Sequence, residues 1–101
     1  GVVNCCQAVA KDMLGRSGSI INISSNSSLL GEAAAGIAHY GGVKGFVNSF
    51  SRSLAWEWAK QGVRVNNICP GWIVPEKEEH VGEGSFWNRF GFEMIGRLPS
   101  E

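Results

Sequence analysis

Apolar residues recur every three or four positions over residues 2–14, as Val2, Val3, Cys6, Val9, Ala10, Met13 and Leu14. That period predicts an amphipathic helix, with Gly15 as its C-cap. Arg16-Ser17-Gly18 reads as a turn. Residues 19–24 follow as a strand, rich in Ile and without clean alternation, the pattern of a central parallel strand covered on both faces. From about Ile37 to Gln61 the residues Val43, Phe46, Val47, Phe50, Leu54 and Trp58 return at helical spacing, and Gly62 caps that helix. Val63 to Ile68 is a second, short strand, stopped sharply by Pro70-Gly71. A helix between two buried strands is a βαβ unit, which predicts parallel strands joined by a right-handed crossover.

Two features depart from this pattern. Gly41, Gly42 and Gly45 stand in the first turns of the long helix, each costing up to about 1 kcal/mol relative to Ala. Either the backbone there approaches another group closely, or this end of the helix is loosely held. Trp56 falls partly off the apolar stripe. It either meets another subunit or lies flat on the surface of its own chain.

Beyond Pro75 the character changes. Glu76-Lys77-Glu78-Glu79-His80 is a charged run, read as a solvated turn. Gly82-Glu83-Gly84-Ser85 is flexible. Phe86, Trp87, Phe90, Phe92, Met94 and Ile95 then form an aromatic-rich patch, able to line an apolar pocket or to pack as core.

The 101 residues suffice for one small domain with a modest core. Nine basic and nine acidic residues cancel, and no basic stripe is present, so nothing favours nucleic acid or an anionic membrane. No apolar run reaches the length of a membrane span, and no signal peptide is visible. Cys5, Cys6 and Cys69 are odd in number and lack a Cys-x-x-Cys spacing. They read as buried free thiols of a cytoplasmic protein rather than a disulfide framework or a zinc site. His39 and His80 lie far apart, and no metal site is expected. The chain lacks an initiator Met, opens inside a helical pattern and stops at Pro99-Ser100-Glu101. It reads as a piece of a longer protein.

The candidate chemistry lies between Ser25 and Lys44. Tyr40 and Lys44 are four apart, which places both on one helix face, one turn from each other. A fixed ammonium favours the phenolate, and a phenol so assisted can act as a general acid or base. A hydroxyl such as that of Ser25, at the carboxyl end of a strand where ligands of open α/β sheets bind, could hold a carbonyl or alcohol oxygen beside it.

Four pieces together, Gly18-Ser19-Ile20-Ile21-Asn22-Ile23-Ser24-Ser25, Tyr40-x-x-x-Lys44, Arg64-Val65-Asn66-Asn67 and Pro70-Gly71, resemble the short-chain dehydrogenase/reductase family. The resemblance covers roughly the first three quarters of the chain. It implies an α/β fold, part of a doubly wound parallel-sheet Rossmann domain in three layers, with residues 1–101 as its second half. The glycine-rich turn that receives the cofactor pyrophosphate would lie upstream. The family's activity implies an NAD- or NADP-dependent oxidoreductase interconverting a secondary alcohol and a ketone. Tyr40 would be the acid/base, Lys44 its partner and a ligand of the nicotinamide ribose, and Ser25 the holder of the substrate oxygen. Of the serine pair, the family's Ser is the second, so loop capping is left to Ser24, Ser27 and Ser28. A fourth catalytic residue, an Asn, would fall before Gly1; Asn4 sits a turn too late.

Pro70, Gly71 and Ile73 would lie against the nicotinamide. Pro75 replaces a Thr that commonly reaches the cofactor. Residues of about 75–96 would be the substrate lid, with Trp87 in the pocket. The gap from Ser25 to Tyr40 is slightly longer than usual, and the extra residues are placed in Glu32 to Gly36. The family pairs its central helices with symmetry mates, which implies a homo-dimer or homo-tetramer through the helices at 2–14 and 38–61. Two other readings compete. One is a binding or regulatory protein on the same fold that has lost catalysis. The other is a piece inactive by itself because it lacks the cofactor's phosphate site.

Overall fold

In the computed structural model, residues 1–30, 36–71 and 73 are described. Residues 1–30 and 36–71 belong to one compact unit, and Ile73 to a second. The charged run, the expected lid with Trp87, and Glu32–Ala35 lie outside the described residues.

The chain forms α1 (Val2–Met13), β1 (Gly18–Ile23), a 3-10 turn (Asn26–Ser28), α2 (Ala38–Ala59) and β2 (Val63–Ile68). The two helices and two strands agree with the periodicity to within two residues; the 3-10 turn was not anticipated. Gly15 and Gly62 both take positive φ, 81° and 80°, a conformation glycine adopts without steric cost. They turn the chain out of α1 and α2. The two strands pair in parallel from Gly18↔Val63 to Ile23↔Ile68, as a βαβ unit requires. The ladder runs past the strand ends, with the Ser24 amide donating to the Ile68 carbonyl at 2.8 Å and that of Asn26 to the Pro70 carbonyl at 3.0 Å.

Both helices share one core. Cys6 of α1, Leu54 of α2 and Val63 and Val65 of β2 are buried together, with Val2, Met13, Leu14, Ile20, Phe50, Ala55 and Trp58 packed against them. This core covers the sheet face that carries Ile20, Val63 and Val65. The opposite face carries Ile21 and Ile23, 59% and 54% exposed, and Ile68. The strand at 19–24 was expected to be covered on both faces; among the described residues only one is. Its Ile residues fall on both faces, whereas α1 and α2 share one core on the side of Ile20.

The apolar stripe of α2 needs correction at its N-terminal half. Val43 and Phe46 are exposed, and Phe46 stacks on Phe50 with ring centroids 5.7 Å apart. The face turned inward there carries Val47 but also Asn48 and Ser51, both buried. Trp56 keeps 84% of its surface exposed, so it does not lie flat on its own chain. The thiols are all free, but Cys5 is exposed rather than buried, Cys6 is buried and Cys69 is partly buried.

Candidate active site

The candidate residues gather where both strands end. β1 delivers Ser24 and Ser25 just past its last residue, and β2 delivers Cys69, Pro70 and Gly71. The first turns of α2 lie beside them. Lys44 Nζ donates to the carbonyl oxygen of Ile23 at 3.0 Å. The same ammonium lies 5.8 Å from the centroid of the Tyr40 ring. A lysine carries three N–H donors, so two remain on Lys44 for a ligand hydroxyl. Tyr40 is 43% exposed, which leaves its phenol accessible.

Ser25 is buried, and its Oγ accepts from the Ser27 amide at 3.2 Å while pairing with Ser27 Oγ at 3.1 Å. It is the N-cap of the 3-10 turn. Ser24 and Ser28 bond backbone carbonyls as expected of loop serines, but the N-cap of the turn is Ser25. The reason is local: Ser25 is the last extended residue before the turn, where a hydroxyl reaches the amide two residues on. Its single O–H proton points to Ser27 Oγ here and must swing out of the turn to reach a ligand oxygen. Ser24 is also buried, and donates instead to the Lys44 carbonyl at 2.9 Å, tying the strand end to α2.

Gly41 answers the question raised by the glycines. A Cβ built there would stand 3.0 Å from the Ser27 carbonyl oxygen, whereas at Gly42 and Gly45 it would meet nothing among the described residues. The helix thus comes close to the serine turn at one glycine only.

Sequence reasoning missed Asn22, Asn48, Ser51 and Asn67. Asn22 Nδ2 donates to Ser51 Oγ at 2.7 Å, Asn48 Nδ2 to Ser28 Oγ at 2.6 Å, and Asn67 Nδ2 to Asn48 Oδ1 at 3.1 Å. Lys44, Asn48 and Ser51 stand at helical spacing, a polar stripe that apolar periodicity does not register. Of the residues expected to hold the cofactor, Lys44 has free donors, and Pro70 and Gly71 sit at the strand end. Ile73 is exposed. The remaining N–H groups of Lys44 suit a ligand that carries hydroxyls.

A family model described as short chain dehydrogenase matches residues 1–84. The chain belongs to the short-chain dehydrogenase family. It is 38% identical over 86 residues to a 3-oxoacyl-[acyl-carrier-protein] reductase of Rattus norvegicus, covering 85% of this chain and 36% of that protein. It is 38% identical over 76 residues to a gluconate 5-dehydrogenase of Gluconobacter oxydans, covering 74% of this chain and 29% of that one. A gluconate 5-dehydrogenase from Burkholderia cenocepacia, solved in complex with NADP and tartrate, superimposes with a TM-score of 0.70 at 34% identity, over 87% of this chain and 34% of that one. The chain thus spans about a third of the length of the relatives it matches. Its fold is part of the doubly wound parallel-sheet Rossmann architecture expected from its sequence.

Proposed function

We propose that this segment carries the acid/base half of an NAD- or NADP-dependent oxidoreductase that interconverts a secondary alcohol and a ketone. One observation carries the reading: Lys44 bridges from beneath Tyr40 to the last carbonyl of β1, beside the turn that Ser25 opens. Tyr40 exchanges a proton with the substrate oxygen. Lys44 supports the negative charge that develops on the phenol and offers its free N–H groups to the ribose. Ser25 donates its O–H to the substrate oxygen and stabilises the charge there. Bound nicotinamide supplies or accepts the hydride. Pro70 and Gly71, at the end of β2, would present backbone groups to its carboxamide. The relatives include reductases of 3-oxoacyl thioesters and dehydrogenases of sugar acids, which fit the alcohol–ketone chemistry.

Exposed Val43, Phe46 and Trp56 on α2 favour pairing with a second copy, giving a homo-dimer or homo-tetramer through α1 and α2. Among the described residues no helix is long and apolar enough to cross a membrane, and the free thiols fit a reducing cytoplasm.

The test uses a chain of the relatives' full length that carries this segment. Titration with NADH and NADPH, followed by turnover on a panel of ketones, is expected to give binding of one nicotinamide and oxidation of it. Binding without turnover would favour a protein that has kept the fold and lost the chemistry.

A further inference from the structure

We infer that Asn48 is a positioning residue that holds the Ser25 turn against the helix bearing Tyr40 and Lys44. The inference rests on the acid/base reading above. Asn48 lies one turn beyond Lys44 on α2 and is buried. Its amide contacts two other parts of the site. Nδ2 donates to Ser28 Oγ at 2.6 Å. Oδ1 accepts from Asn67 Nδ2 at 3.1 Å and from the Cys69 thiol at 3.6 Å. Those groups end β2 and begin the segment leading to Pro70.

The direction of these bonds is set by proton count. The Ser28 hydroxyl has one proton, and it donates to the Ser25 carbonyl oxygen. It must therefore accept from Asn48, which fixes the Asn48 amide with Nδ2 toward the turn and Oδ1 toward β2. Asn67 must in turn present Nδ2, and among the described residues its own Oδ1 has no partner. The outcome is a one-way run of donors, Asn67 to Asn48 to Ser28 to the backbone of Ser25, in which each bond polarises the next. Ser25 Oγ has no comparable tie to α2; its partners are within its own turn. Ser24 ties the strand end to the Lys44 carbonyl, and Asn48 adds the tie that reaches the far side of the turn, at Ser28.

The test compares Asn48→Leu, Ser28→Ala and the double variant with the parent, in a chain of the relatives' full length. Two readouts are taken: ketone turnover with NADPH, and hydrogen exchange of individual amides. Each single variant is expected to lower kcat about 10-fold or more, since a misplacement of about 1 Å can cost far more than this. KM should stay within about 2-fold, and the double variant should be no slower than the worse single, as for groups acting as a unit. Exchange at the Ser28 and Leu29 amides, which close the turn onto Ser25 and Asn26, should quicken while α1 keeps its protection. Any other combination overturns the inference, including a kcat loss with general loss of protection. Should the parent show no turnover, the oxidoreductase reading falls. Exchange then decides alone: quickening confined to the turn supports the positioning role, and an unchanged turn or a general loosening overturns it.

Discussion

The carbonyl oxygen of Ser27 sits so close to Gly41 that a Cβ on that glycine would stand 3.0 Å from it. This contact sets how near the helix carrying Tyr40 and Lys44 can come to the turn that Ser25 opens. A backbone carbonyl within a hydrogen-bonded turn has little room to retreat.

The three helix glycines therefore separate. Gly42→Ala and Gly45→Ala meet no described residue and should each stabilise by up to about 1 kcal/mol, the ordinary helix gain. Gly41→Ala should destabilise by about 1–3 kcal/mol, because the added methyl forces the turn or the helix to shift. Urea unfolding of the three variants checks this. Three equal gains would show that Gly41 is not a contact point.

Ser17 holds φ at 77° just before β1, a left-handed conformation that costs a residue with a Cβ about 1–2 kcal/mol. Ser17→Gly should raise stability by up to about 1 kcal/mol, the relief being partly offset by the greater freedom of glycine in the unfolded chain. Ser17→Val should lower it. Chemical denaturation midpoints give the order directly.

The adjacent cysteines should behave as opposites. Cys5 is exposed and Cys6 buried, so a thiol reagent should modify Cys5 in the folded chain and Cys6 only on unfolding. Burial pushes the Cys6 thiol up from its ordinary value of 9.0, and the neighbouring Cys5 adds to the shift. The folded chain thus holds this proton more tightly than the unfolded chain does. The stabilisation from this group is complete below the ordinary value and is lost as pH rises through the raised one. Thermal unfolding of Cys6→Ala against the parent should show a shallower alkaline decline in the variant.

Much of this was legible in the residues. The apolar periods of α1 and β2 name their inward positions, and the Tyr40–Lys44 spacing anticipates a shared helix face. What periodicity could not reach was the polar interior. Asn48 and Ser51 look like solvated helix positions until Asn22, Ser28 and Asn67 are brought against them from three other segments. Val43 and Phe46 misled for the same reason, since apolar spacing counts residues that fit a core without saying which face has a neighbour. Gly41 stood out in the sequence, but separating it from Gly42 and Gly45 needed the position of Ser27.

The most direct measurement is single-turnover kinetics of Tyr40→Phe, with nicotinamide affinity measured beside it, in a chain of the relatives' full length. The substitution removes one oxygen from a partly exposed ring and leaves Lys44 on the Ile23 carbonyl. Loss of about 100-fold or more in the chemical step, the range of general acid–base catalysis, with nicotinamide affinity unchanged, is the predicted result. Turnover at the parent rate would contradict the assignment of Tyr40 as the acid/base.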